Sequence, residues 1–207
     1  MASAANQRGP MFKVVLLGEV NVGKTTFFLR MKNDRFINVT EGTHTIDSCS
    51  RVFNIKGDRV TLAVWDTAGV ERFRTLTQNY YRNTHAVILM FSLDNPSSLH
   101  YLPKWVDDAG SFSPAALKIL IGNKSDLYSS VASDTIKDFA AVYDCDLVLR
   151  LSSKTGEGFK EAAEKIAAKL LAEFKSKQTI PRALFGKGTI VDLTDQPGAG
   201  PQSQCYC

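Results

Sequence analysis

The 207-residue sequence has no long apolar run, and its longest, VVLL and AVILMF, are far too short to cross a bilayer. The opening MASAANQRGP has no apolar core, so no secretory leader is expected, and Ala2 stands where N-myristoylation needs a glycine. Cysteine is sparse. Cys49, Cys145, Cys205 and Cys207 show neither the paired spacing of a zinc site nor the density of a disulfide scaffold, which points to a reducing compartment. Clustered charge is lacking too. The formal net charge is +4, with lysines and arginines scattered among acids, so a nucleic-acid partner is not expected. Internal repeats are absent.

What is present is ordinary globular usage, 44% hydrophobic and 22% charged, enough for one sizeable core. Short β-branched runs alternate with helical patterns, the signature of a parallel sheet covered on both faces. Strands are expected at 12–18, 86–93, 117–123 and 147–153. Residues 49–66 read as two strands turning at Lys56-Gly57-Asp58, an antiparallel hairpin at the sheet edge. The fold class is therefore α/β in three layers, a six-stranded mostly parallel sheet with helices on both faces. Helices fit 24–33, 71–81, 97–108, 133–143 and 157–176. In the last, Phe159, Ala162, Ala163, Ile166, Leu170 and Phe174 form an apolar stripe, which is core rather than a cofactor box. A short extension (1–10), one domain (11–176) and a Gly-, Pro- and Gln-rich flexible tail (177–207) follow from these patterns.

The first strand runs into Gly18-Glu19-Val20-Asn21-Val22-Gly23-Lys24-Thr25, which fits G-x-x-x-x-G-K-[ST] in the strand, loop and helix setting that motif needs. Backbone N–H groups there can wrap a β-phosphate at the helix N-terminus. Lys24 can reach β and γ oxygens and the Thr25 hydroxyl can ligate Mg²⁺. Asp66-Thr67-Ala68-Gly69 closes a strand. Alone an aspartate there is a common cap, but beside a phosphate loop it suits a water-mediated Mg²⁺ contact, with the Gly69 N–H sensing a γ-phosphate. Asn123-Lys124-Ser125-Asp126 ends another strand, where a carboxylate can accept from both N1–H and the 2-amino group of guanine. Adenine lacks both donors and would leave Asp126 unpaired. Ser152-Ser153-Lys154 can offer a backbone N–H to the guanine O6. An ATP-using phosphate-loop kinase or ATPase is disfavoured by Asp126 and by the lack of a basic lid-like segment.

The order GEVNVGKT, Thr43, DTAG, NKSD and SSK across 11–176 resembles a Ras-superfamily small GTPase G domain. WDTAGVERFRTLTQNYYR (65–82) and the terminal Cys-Tyr-Cys resemble the Rab branch. The resemblance implies a GDP/GTP switch in vesicle trafficking that is monomeric and cycles between cytosol and the cytoplasmic face of a membrane. It implies an exchange factor, an activating protein, a GDP-dissociation inhibitor, a prenylation escort and effectors as partners. By the same resemblance Phe36 stacks on guanine, Thr26 joins the nucleotide contacts, and Thr43 senses the γ-phosphate and ligates Mg²⁺. Trp65 and Tyr80 belong to an effector-reading aromatic triad, and Cys205 and Cys207 carry prenyl groups. The apolar island Ile190-Val191-Asp192-Leu193 could dock on the escort.

Four departures bear on the switch. Val70 stands where the family has a water-orienting glutamine, and Val20 where its phosphate loop has Gly or Ser. Thr40 replaces a tyrosine. In THTIDS, Ser48 replaces the third triad aromatic and Thr45 a glycine. An enzyme that cycles slowly and a GTP-loaded recruiting module are both compatible with this pattern.

Overall fold

The computed structural model describes residues 9–38, 47–67 and 78–179. The six strands are β1 (Met11–Leu17), β2 (Asp47–Ile55), β3 (Asp58–Asp66), β4 (Ala86–Ser92), β5 (Leu117–Asn123) and β6 (Leu147–Arg150). The helices are α1 (Lys24–Asn33), α2 (Gln78–Tyr81), α3 (Pro96–His100), α4 (Pro103–Phe112), α5 (Ser133–Val142) and α6 (Phe159–Thr179). The sheet order is β2-β3-β1-β4-β5-β6, parallel throughout except for β2, which pairs antiparallel with β3 at the edge. Lys56 and Gly57 both take positive φ (51° and 92°), as a two-residue hairpin loop requires.

Strand periodicity divides the core. Phe12, Val14 and Leu16 of β1 face one way and pack with Phe27, Phe28 and Met31 of α1 and Ile166 and Leu170 of α6. Val15 and Leu17 face the other way, with Leu99, Trp105, Val106 and Ile136 from α3, α4 and α5. β4 is buried along its whole length, as a central parallel strand should be. Both layers thus clamp β1, β4 and β5 and present their C-terminal ends at one edge, the general location of ligand sites in open α/β sheets.

Three elements differ from expectation. The helix expected at 97–108 is two helices, because Pro103 at the start of α4 has no N–H to continue the ladder. β6 stops at Arg150. Beyond it the Leu151 N–H makes a last bond to Gly122 O of β5 (3.0 Å), but the Ser152 N–H turns to Glu157 O (3.0 Å), so the chain leaves the sheet into a loop at Ser152–Ser153. α6 begins at Phe159, after Gly158 at φ 67°, and runs to Thr179, past the 176 read from its stripe. The Lys177–Glu173 (3.3 Å) and Lys175–Asp58 (2.6 Å) ion pairs support that last turn. Of the helix expected at 71–81, only α2 lies within the described residues.

Candidate nucleotide site

β1 ends at Leu17 and α1 starts at Lys24, leaving a six-residue loop whose shape two glycines permit. Gly18 (φ 138°) lies so near β4 that an added Cβ would be 2.2 Å from Met90 O. At Gly23 (φ 96°) a Cβ would be 2.3 Å from Asn123 Nδ2. Both positions combine a backbone conformation hostile to side chains with no room for one. Val22 is buried and Asn21, at φ 65°, is exposed. Lys24 is buried and donates from Nζ to the carbonyls of Gly18 and Glu19, 2.8 Å each, so the lysine folds back over its own loop.

Asn123 is the hub. Its Nδ2 donates to Val22 O (2.8 Å) and its Oδ1 accepts from Ser153 N–H (2.9 Å), tying the phosphate loop to the loop after β6. The latter loop is braced further, with Ser152 Oγ donating to Asp126 Oδ1 (2.5 Å) while accepting from Lys154 N–H (3.2 Å) and Thr155 N–H (3.0 Å). Lys124, at φ 63°, pairs with Asp94 at 3.7 Å. The outcome is a cavity of about 180 Å³ walled by Gly23, Thr26 and Phe36 on one side and Asn123, Lys124, Asp126, Leu127, Ser153 and Lys154 on the other. Phe36 stays 40% exposed, a ring free to cover a flat ligand. Of the backbone N–H groups in Ser152-Ser153-Lys154, one of which was expected to meet the guanine O6, that of Ser153 is committed to Asn123. Lys154 N–H, with the longer bond, is the cheaper to redirect.

Asp66 is buried at the end of β3, and Thr67 beside it donates from Oγ1 to Leu16 O (2.6 Å), anchoring this strand end to β1. Thr25 lies in the first turn of α1, just after the phosphate loop. Among the described residues no three side chains of His, Cys, Asp or Glu converge as a self-contained metal ligand set. A lone hydroxyl and a lone carboxylate fit a hard cation that draws its remaining ligands from phosphate oxygens and water, which is how Mg²⁺ binds. Thr43, Gly69 and Val70, like Thr40, Thr45, Cys205 and Cys207, lie outside the described residues. Val20 is half-buried in the phosphate loop.

On the outer face, Ser48 pairs directly opposite Trp65 in the β2–β3 ladder, so the two share one side of the sheet, and Ser48 is exposed. Lys13 Nζ lies 4.9 Å from the centroid of the Trp65 ring and donates to Tyr80 O (2.5 Å) and Arg82 O (2.9 Å), joining two of the expected triad residues. Burial lowers the Lys13 pKa.

Two contacts here escaped the sequence reading. Arg30 of α1 bonds the carbonyls of Ser153 and Lys154. Trp105 Nε1 donates to Glu19 Oε1 (3.2 Å), tying α4 to the phosphate loop. Neither residue falls in a recognisable motif. The only available cue was an arginine in the last turn of a helix whose C-terminal carbonyls already favour a cation.

Residues 13–172 match the family model described as Ras family. The chain is 33% identical over 207 residues to Ras-related protein Rab-19 of Bos taurus, covering 95% of this chain and 93% of the relative. It is 36% identical over 205 residues to the Homo sapiens Rab-19, covering 95% and 92%. Against Ras-related protein Rab-1C of Dictyostelium discoideum the figures are 34% over 161 residues, with 76% and 80% covered. With the phosphate loop, the cavity and the sheet order in place, the chain belongs to the Ras family, as a Rab-type small GTPase and guanine-nucleotide-binding switch.

Proposed function

We propose that this chain is a membrane-traffic switch that binds GDP and GTP in the cavity between Gly23 and Asp126 and hydrolyses GTP slowly. The observation carrying the reading is that Asn123 bonds the phosphate loop and the Ser152–Lys154 loop at once, so phosphate and base subsites form one rigid unit. In that unit Asp126 accepts from the guanine N1–H and 2-amino group, and Phe36 stacks on the base. Lys24 exchanges two carbonyl partners for phosphate oxygens, and the α1 N-terminus offers its N–H groups to the same anion. Mg²⁺, held by Thr25, Thr43 and, through water, Asp66, would neutralise charge developing on the β and γ oxygens. An exchange factor, an activating protein, a GDP-dissociation inhibitor and effectors reading the Trp65 face complete the cycle as partners.

Slow turnover follows from two side chains. Phosphoryl transfer depends almost wholly on positioning and charge stabilisation. The Val70 side chain can neither donate nor accept a hydrogen bond, so the attacking water loses its usual orienting group. Val20 places a branched side chain in the loop that an activating protein's arginine approaches. A family member with the glutamine hydrolyses at roughly 10⁻⁴ s⁻¹ unaided, and the arginine supplies about 10³–10⁵-fold. The same two valines favour a second reading, a GTP-loaded module that recruits partners with hydrolysis incidental. Single-turnover GTP hydrolysis by wild type, Val70→Gln, Val20→Gly and the double variant, with and without an activating protein, tests both readings. The double variant is expected to be fastest. A wild type that matches it refutes slow hydrolysis, and a wild type with no turnover under either condition selects the recruiting module.

A further inference from the structure

We infer that Arg30 is the positioning residue of the base-binding loop, fixing the direction in which the loop presents its N–H groups; the inference rests on the guanine reading proposed above. Arg30 Nε donates to Ser153 O and Nη2 to Lys154 O, both at 2.6 Å, across 123 and 124 residues of sequence. Two successive carbonyls met by two nitrogens of one planar fork is a geometry that a lysine ammonium cannot duplicate.

The guanidinium is itself held in place. It lies 6.0 Å from the Phe159 ring centroid, and Gly156 leaves it room, since a Cβ there would lie 2.8 Å from Nη1. The loop needs such support because β6 ends at Arg150 and no strand pairing reaches Ser152–Lys154.

Peptide planarity turns this anchor into a recognition device. Ser153 C=O and Lys154 N–H belong to one trans peptide unit and point in opposite directions. Drawing the carbonyl toward α1 therefore aims the Lys154 N–H away from α1. Ser153 and Lys154 both wall the cavity, whereas Arg30 does not. That N–H spends only a 3.2 Å bond on Ser152 Oγ and is the donor most readily turned to the O6 of a guanine. Adenine presents an amino group there instead and gains nothing from it. On the other flank, Asn123 Oδ1 fixes the Ser153 N–H at 2.9 Å, so both edges of the Ser153 backbone are held by side chains from different elements.

The test is a competition titration on the full chain, displacing fluorescent GDP with GDP or ADP, alongside the GDP release rate and thermal melting. The proteins are wild type, Arg30→Met, which keeps an apolar stem over Phe159 without donors, and Arg30→Lys. Removal of two charge-assisted bonds is expected to lower the GDP-to-ADP preference roughly tenfold or more in Arg30→Met and to speed GDP release by a similar factor. Arg30→Lys is expected to fall between the two. A lowered melting temperature with preference and release rate both unchanged means a merely structural bond and overturns the inference. If Arg30→Met does not fold, Arg30→Lys decides: a reduced preference supports the role and a wild-type preference removes it. A wild type that binds ADP as well as GDP overturns the guanine reading itself, an outcome separate from any variant.

Discussion

His85 is the residue whose protonation state the fold constrains most visibly. Its Nδ1 accepts from the Lys13 backbone N–H (3.1 Å), which requires a lone pair there, and its ring meets Phe12 edge-on at 5.4 Å. Burial, with Lys177 and Lys13 adding positive charge, lowers its pKa below the usual 6.5. A histidine depressed in the folded state binds protons more readily when unfolded. Its contribution is then complete above about pH 6.5 and is lost as pH falls through that value toward the folded pKa. Thermal melting between pH 8 and pH 5 should show a decline beginning near pH 6.5, flattened in His85→Asn, whose carbonyl oxygen keeps an acceptor that cannot titrate. An identical pH slope in both proteins would rule out His85 as the cause. None of this was legible beforehand, because Lys13 and His85 meet only through the pairing of neighbouring strands. The motif residues are different. Gly23, Asn123 and Asp126 wall one cavity, and they were expected near one another because the proposed phosphate and base chemistry restricts residue types and their spacing, whereas Arg30 acts on backbone carbonyls that any sequence would supply.

At the scale of elements, regular patterns translated directly and irregular ones did not. β1, β4 and β5 followed from their continuous apolar runs, and α1 from its place after the phosphate loop. The α3–α4 break was written in Pro103, yet the apolar positions Leu99, Leu102, Trp105 and Val106 continue across it and suggest one helix. All four are buried, so the two helices keep a common face despite the missing bond. The end of β6 could not be read, since Leu151 is as apolar and as buried as a strand residue and still bonds Gly122 O of β5, and the ladder is left only where the Ser152 N–H turns to Glu157 O. α6 supplies the most direct test of which contacts hold the layers together. Ile166, 1% exposed, lies in the cluster shared with β1 and α1, and Glu164 on the same helix is exposed. Ile166→Ala should cost about 2–5 kcal/mol through lost burial and a residual cavity. Glu164→Ala should stay within about 0.5 kcal/mol. Denaturant titration of the GDP-bound forms measures both, and equal midpoints would mean that α6 is not packed as described.

On the function proposed above, the whole molecule joins a nucleotide switch to a means of reaching a membrane. Among the described residues no helix is long and apolar enough to cross a bilayer, and the attachment proposed here is weighed between surface charge and covalent lipid. The surface offers little, because the net charge of +4 is spread among acids, and from Lys177 onward three cations face two aspartates. A polybasic stretch gains about 1 kcal/mol per residue at an anionic leaflet, so one net charge supplies only about 1 kcal/mol, too little to hold the protein there. Lipid on Cys205 and Cys207 is therefore proposed to carry attachment. At ~0.8 kcal/mol per buried CH₂, a single chain still gives only marginal, reversible binding, so both sites are needed for residence. The half-buried thiols Cys49 and Cys145 are poor alternatives, since burial pushes each pKa up to about 11 and leaves little thiolate at neutral pH. Fractionation of cells expressing wild type, Cys205→Ser, Cys207→Ser and the double variant separates these contributions. Wild type should sediment with membranes, each single variant should wash off in buffer, and the double variant should remain in the supernatant. Salt should matter little in every case, because no cluster of charge is there to screen. A double variant that still sediments would place the anchor elsewhere in the molecule, and a wild type released by salt would make attachment electrostatic rather than lipid-borne.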